Sequence, residues 1–133
     1  MNLQETEQDI LNDLKELEDA ISQYTYLITC AKECLALPEQ YRNEECLVKD
    51  CQVNTWMYAD VREDQIVFLA DSESLIVKGG LALLQELYHG RSVKEAKGYR
   101  CSLPEQDAFS AHFSGTQLKG FRAIVKKLEE MFG

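Results

Sequence analysis

The sequence has only two prolines, two histidines and one tryptophan, and no apolar run near the roughly eighteen residues that span a bilayer as a helix. No membrane span is therefore expected. Positive charge is also scarce: 14 lysines and arginines stand against 23 aspartates and glutamates, a formal charge of −9. A nucleic-acid binder needs a basic footprint to displace counterions from phosphates, so the charge argues against that class. His89 and His112 have no nucleophile motif beside them, which argues against a hydrolytic triad and leaves both as structural or surface histidines. The Gly79-Gly80 pair follows a lysine inside a helical pattern and matches no phosphate-cradling loop. The opening stretch "MNLQETEQDILNDLKELEDAI" is acidic and lacks a continuous apolar segment, so it is read as neither a signal nor a transit peptide. A cytoplasmic location is expected.

A hydrophobic content of 45% and a charged content of 28% are ordinary for a folded domain, and 133 residues suit one unit spanning 1–133. Ile10, Leu14, Leu17, Ile21 and Tyr24 recur at spacings of four and three, the stripe of an amphipathic helix. A second stripe, Tyr24, Leu27, Ala31 and Cys34, continues the helical pattern to about Leu37, where Pro38 stops it. The seven acidic residues up to Ile21 form a solvated face or a docking surface. From Cys46 to Ala70 the pattern becomes β-like: "CLV", "VNTWMYA" and "DQIVFLA" are rich in strand formers, with the polar "DVRED" as the turn between the last two.

"DSESLIVKGGLALLQELYHG" then reads as a buried helix, with Asp71 or Ser72 capping its start and Gly90 ending it. The Gly79-Gly80 pair in its middle suggests close packing against the sheet. Ser92 with Glu95 and Ser102 with Glu105 have capping-box spacing, and Thr116 is placed to cap a last helix. The expectation is an α+β domain: N-terminal helices, a small three-stranded antiparallel sheet and C-terminal helices.

Five cysteines, at positions 30, 34, 46, 51 and 101, carry the remaining chemistry. In a reducing compartment they are core fillers, metal ligands or reactive thiols before they are disulfides. Cys30-x3-Cys34 and Cys46-x4-Cys51 fit structural zinc poorly, and Cys30 and Cys34 fall on apolar helix positions, so no metal is expected. Cys51 differs. It stands between Lys49-Asp50 and Gln52 in the run "NEECLVKDCQVNTW", a polar setting for a thiol. An accessible thiolate can attack a persulfide and carry off its outer sulfur with no metal or cofactor.

Around that cysteine the sequence resembles the SufE/CsdE family of sulfur-acceptor proteins. The family pattern Asn-x-Val-x-Gly-Cys-Gln-Ser-x-Val-Trp is matched by Val48, Cys51, Gln52 and Trp56. "YTYLITCAKECLALPEQYRNEE", "DSESLIVKGGLALLQELYHGRS" and "FSGTQLKGFRAIV" are similar to further family segments, in order and at the right spacing. The resemblance implies a SufE/IscU-like α+β fold, with the acceptor cysteine on a loop at one end of the sheet. It also implies association with a pyridoxal-phosphate (PLP)-dependent, SufS-like cysteine desulfurase, and delivery of sulfur to a SufBCD-like scaffold complex for iron–sulfur clusters. Cys51 is then the persulfide-carrying residue, while Asp50, Gln52, Asp71, Glu73 and Gln117 lie near it or on the docking face. Whether such a chain counts as an enzyme or as an accessory that stimulates one stays open.

The sequence departs from the family at three places. The glycine before the acceptor is Asp50, the serine two residues after it is Val53, and the arginine of the last helix is Gln117. Aspartate tolerates a left-handed backbone, but its carboxylate opposes ionisation of the neighbouring thiol. Cys51 is therefore expected to ionise less readily in the free protein. The competing reading is a non-catalytic module that docks on or regulates a desulfurase without carrying sulfur. In the same alignment Cys30 and Cys34 take apolar positions, Cys101 has no role, and Cys46 replaces an asparagine close enough along the chain to be a candidate resolving thiol.

Overall fold

Asn2 and Asp19 decide where the first two helices begin. The computed structural model describes residues 1–49 and 53–133. Asn2 closes a capping box with Glu5 at the start of α1 (Leu3–Glu16), and Asp19 accepts the Ser22 N–H at 2.8 Å to start α2 (Ala20–Cys30). The expected single stripe through Ile21 and Tyr24 is thereby broken. Leu17 becomes the C-cap of α1, and the new helix starts with a different phase. Ile21 is left 80% exposed and Tyr24 46% exposed, while Leu27 and Cys30 face the core. A short 3₁₀ turn, Ala31–Glu33, follows, and another, Glu39–Tyr41, comes directly after Pro38.

The hairpin consists of β1 (Thr55–Arg62) and β2 (Gln65–Ser72), antiparallel in register from Thr55 opposite Ser72 to Arg62 opposite Gln65. Its turn is tighter than "DVRED" suggests. Only Glu63 and Asp64 lie outside the strands, both at positive φ, the backbone that matches the twist of two-residue hairpins. Met57, Ile66, Phe68 and Ala70 are buried, whereas Trp56 and Tyr58 point outward, with Tyr41 stacked on Tyr58 at 3.8 Å between centroids. The expected third strand is not formed among the described residues. Leu47 makes an isolated bridge to Trp56, giving an α+β fold with a two-stranded sheet. The Asn43 side chain accepts the Cys46 N–H at 3.0 Å, so a turn immediately precedes the short stretch that bridges β1.

Helix α3 (Leu75–Tyr88) is capped by Ser74, while Asp71 and Ser72 remain in β2. Gly90, at φ 81°, follows its end as expected. The glycine pair serves helix packing, not the sheet. A Cβ at Gly79 would lie 2.0 Å from the Leu27 carbonyl oxygen of α2, and one at Gly80 would lie 2.4 Å from the Phe121 ring. The His89 N–H closes the helix end on the Gln85 carbonyl at 2.8 Å, while its imidazole turns to the sheet. Its Nδ1 accepts the Phe68 N–H at 3.1 Å and closes part of the β2 edge.

The Ser92–Glu95 capping box opens α4 (Val93–Ala96). Ser102 and Glu105 form no such box. A 3₁₀ turn, Leu103–Glu105, stands there instead, with Ser102 bound to Glu7 and Glu105 paired with Arg122 at 2.8 Å. After α5 (Asp107–Ser110) comes α6 (Gly115–Phe132), which is capped by Ser114 with Gln117 in place of the expected Thr116. Its buried face carries Phe121, Ile124, Val125, Leu128 and Phe132. One apolar cluster contains Leu3 from the first helix and Phe132 from the last. Among the described residues no helix is long and apolar enough to cross a membrane.

Candidate functional site

Backbone pairing tethers the chain on both sides of the thiol predicted to react. Met57 donates its N–H to the Cys46 carbonyl at 2.8 Å, and Val48 donates to the Thr55 carbonyl at 2.7 Å. Asp50, Cys51 and Gln52 themselves lie outside the described residues. Beyond them, Asn54 and Glu73 form a reciprocal clamp. The Asn54 N–H donates to Glu73 Oε1 at 3.0 Å, and the Glu73 N–H donates to the Asn54 carbonyl at 3.0 Å. Thr55 and Ser72 add a buried hydroxyl pair at 2.9 Å. Glu73 thus anchors the segment that leads into β1.

Asp71, expected on the docking face, is a buried ion-pair centre. Its carboxylate binds Arg42, contacts Lys78 Nζ at 3.3 Å and accepts the Ser72 N–H at 2.8 Å. Burial alone would raise its pKa, but the Arg42 bond, the Ser72 N–H and Lys78 together hold it below the usual carboxylate range. Arg42 also lies over the Trp56 ring, 5.1 Å from its centroid. One guanidinium therefore joins the Glu39–Tyr41 turn to both strands, and Trp56 faces Asp71 across the ladder. Gln117 is occupied elsewhere, because its Oε1 accepts the Ser114 N–H at 2.8 Å as part of the α6 cap.

Four of the five cysteines are described, and burial raises the pKa of each. Cys30 is 8% exposed, and Cys34 is pushed up to about 11 with its Sγ 3.5 Å from the Ala70 carbonyl. Cys101 is 9% exposed and pushed up to about 12. Cys46 is half-buried. Desolvation raises its thiol, the Lys127 ammonium lowers it, and Glu45 raises it again, for a net upward shift. Among the described residues no group of three or more His, Cys, Asp or Glu side chains is arranged to hold a metal ion.

Cys46 lines a cavity of about 350 Å³ between the bridge segment and α6, together with Val48, Lys49, Met57, Ile124 and Lys127. Sequence reasoning did not bring α6 to this place. Lys127 sits next to Lys126 on a polar helix face, and no local pattern separates the two. The Arg42–Asp71–Lys78 centre was equally hidden, because its members are 29 and 7 residues apart.

The fold is shared with a solved protein. The chain superimposes on the solution structure of a hypothetical protein from Thermus thermophilus with a TM-score of 0.75 and 19% identity, covering 96% of this chain and 93% of that one. At that identity the likeness speaks for the fold. The family evidence comes from sequence: the model of the SufE iron–sulfur-metabolism-associated domain matches residues 8–132. The chain therefore belongs to the SufE family, whose domain is associated with iron–sulfur metabolism.

Proposed function

We propose that Cys51 accepts sulfane sulfur from a PLP-dependent, SufS-like cysteine desulfurase and carries it as a persulfide toward a SufBCD-like scaffold complex for iron–sulfur clusters. Family membership supports the setting. The observation that carries the choice of residue is the state of the other cysteines. Cys30 and Cys101 are buried and Cys34 and Cys46 are half-buried, whereas an acceptor thiol must be reached by a second protein. The chain flanking Cys51 is tied by Val48–Thr55 and Asn54–Glu73 pairs, a fixed base for a thiol that must meet a second protein.

In the exchange, the Cys51 thiolate attacks the outer sulfur of the desulfurase persulfide. A new S–S bond forms on Cys51, the old one breaks, and the desulfurase cysteine leaves as thiolate. No cofactor of this chain takes part. Asp50, next in sequence, disfavours the thiolate in the free protein, so ionisation is assigned to the partner's site. Asp50 and Gln52 are assigned to partner contact, and residues 1–133 to one SufE-like unit acting in the cytoplasm. Asp71 and Glu73 hold the docking face in shape.

The second reading, a non-catalytic docking or regulatory module, is favoured by one observation: Gln117 is committed to the α6 cap and supplies no cation. Desulfurase turnover separates the two. With saturating wild-type protein, alanine production rises, and Cys51→Ser abolishes the rise while still binding the desulfurase in a pull-down. If Cys51→Ser stimulates as well as wild type, the acceptor role is wrong and the docking module stands.

A further inference from the structure

Between the Ala31–Glu33 turn and the C-terminal end of α3 lies an open cavity of about 250 Å³, lined by Glu33, Leu35, Ala82, Gln85, Glu86 and His89. Gln85 is ten residues after Leu75, roughly 15 Å along the helix from its start. It is 4% exposed, and its Oε1 accepts the Leu35 N–H at 2.9 Å. Only the amide oxygen can meet a backbone N–H, so the orientation of the amide is fixed and Nε2 is left as a donor. Among the described residues that buried Nε2 has no hydrogen-bond partner. In the same lining, the His89 Nδ1 accepts the Phe68 N–H, which makes the imidazole neutral and puts its own N–H on Nε2. A buried amide N–H without a partner calls for an acceptor brought from outside the chain.

The charged groups of the lining are carboxylates, Glu33 from the turn and Glu86 from α3. The Glu86 pKa is raised, by partial burial first and then by the negative charge of Glu33, Asp13 and Asp9. Arg91 opposes the rise, but its guanidinium is engaged by Thr6 at 2.7 Å and by Glu95 at 3.6 Å. The cavity thus gathers negative charge that no lysine or arginine of its own lining offsets.

We propose that this cavity is a docking site for a basic peptide segment of a protein partner. An arginine side chain of that segment lies across Glu33 and Glu86, and a main-chain carbonyl beside it accepts from Gln85 Nε2. The space is below the roughly 300–1,000 Å³ of small-molecule sites, so it suits part of a peptide better than a cofactor. A planar guanidinium with five N–H donors serves two carboxylates at once and is less strongly hydrated than an ammonium. Leu35, 41% exposed, and Ala82 offer an apolar bed for its methylenes. The net charge of −9 steers a basic partner toward the chain. None of these residues takes part in sulfur acceptance, and the inference does not rest on the role of Cys51.

The test titrates the isotope-labelled full chain with N-acetyl-L-arginine amide and follows the Gln85 side-chain amide and the Leu35 and Glu86 backbone amides by NMR. A saturable shift of all three is expected, with the Gln85 Nε2 protons moving most. N-acetyl-L-citrulline amide keeps the carbonyls and loses the charge, and is expected to bind roughly fivefold more weakly or worse. Glu33→Gln and Glu86→Gln are each expected to weaken the arginine probe roughly two- to fivefold, the scale of one solvent-accessible charge pair. Both glutamates are exposed, so these variants keep the fold. No saturable shift at Gln85 and Leu35 with the arginine probe overturns the site. Equal binding of the citrulline probe overturns recognition of the guanidinium. Undiminished binding to the Glu33→Gln/Glu86→Gln double variant overturns the assignment to these carboxylates.

Discussion

The body of helix α3 and the segment that leads into it are built by different means. Around Gly79 and Gly80, order comes from contact: the α2 backbone and the Phe121 ring approach so closely that neither position has room for a methyl group. Just before the helix, where β2 passes into α3, order comes from polar pairs: Arg42 and Lys78 on Asp71, and Asn54 on Glu73. Dry packing tolerates no displacement, because a mismatch of a methylene already costs free energy. Polar pairs give a position through a few directed bonds, so order there depends on named partners and not on close packing. Under the proposed acceptor role, the first kind of order holds the core and the second anchors the chain that follows the acceptor segment.

The comparison breaks first, and most severely, in the packed body. Gly79→Ala places its Cβ against the Leu27 carbonyl, and overpacking of this kind is expected to cost about 3 kcal/mol or more, read as a lower urea midpoint. Sulfur acceptance per folded molecule is unchanged by it. In the polar segment, Asp71→Asn removes the charge that two cations share and is expected to cost about 2 kcal/mol. Because the folded Asp71 pKa is depressed, its contribution is complete above the unfolded value of about 3.9 and fades as pH falls through the folded one. Acid titration should therefore find the gap between wild type and Asp71→Asn closing in that window. A gap that stays constant would show that the charge is not what stabilises the pair.

Glu73→Ala is expected to act more gently on stability, by about 1 kcal/mol, since it removes the acceptor of one backbone N–H. Its effect on sulfur acceptance should be the larger one, and Glu73→Gln, which keeps an acceptor oxygen, should recover most of it. The smallest effect is on the Cys51 thiol itself. With Asp50 beside it, its pKa in the free protein should not fall below the model-peptide value of about 8.5, measured by the pH dependence of alkylation. A value well below that would remove the need for activation by the partner.

The fold was legible in the sequence where one periodicity dominates. The alternation of Trp56 and Tyr58 with Met57, and the apolar run of α3, identify the hairpin and the central helix. Legibility failed where two signals share one spacing. Leu17 and Ile21 keep a four-residue interval across the break between α1 and α2, and the bond from Ser22 to Asp19 shows that a new helix has begun. Cap residues were misplaced for the same reason. Asp71 and Ser74 are both good caps, and Asp71 was already taken by Arg42 and Lys78. "CLV" has the composition of a strand but only Leu47 bridges, because strand length depends on a turn formed by Asn43. At the site, motif spacing pointed to Cys51 and its neighbours. The contribution of α6 through Ile124 and Lys127 is a tertiary fact with no local sign.

The central claim is that Cys51 receives sulfur, and the most direct test is intact mass. The protein would be incubated with a purified cysteine desulfurase from the same cell and L-cysteine, then weighed without reductant, for wild type and Cys51→Ser. The account predicts a gain of whole sulfur atoms in wild type that disappears in the variant. No gain in wild type, or an equal gain in both, would contradict it.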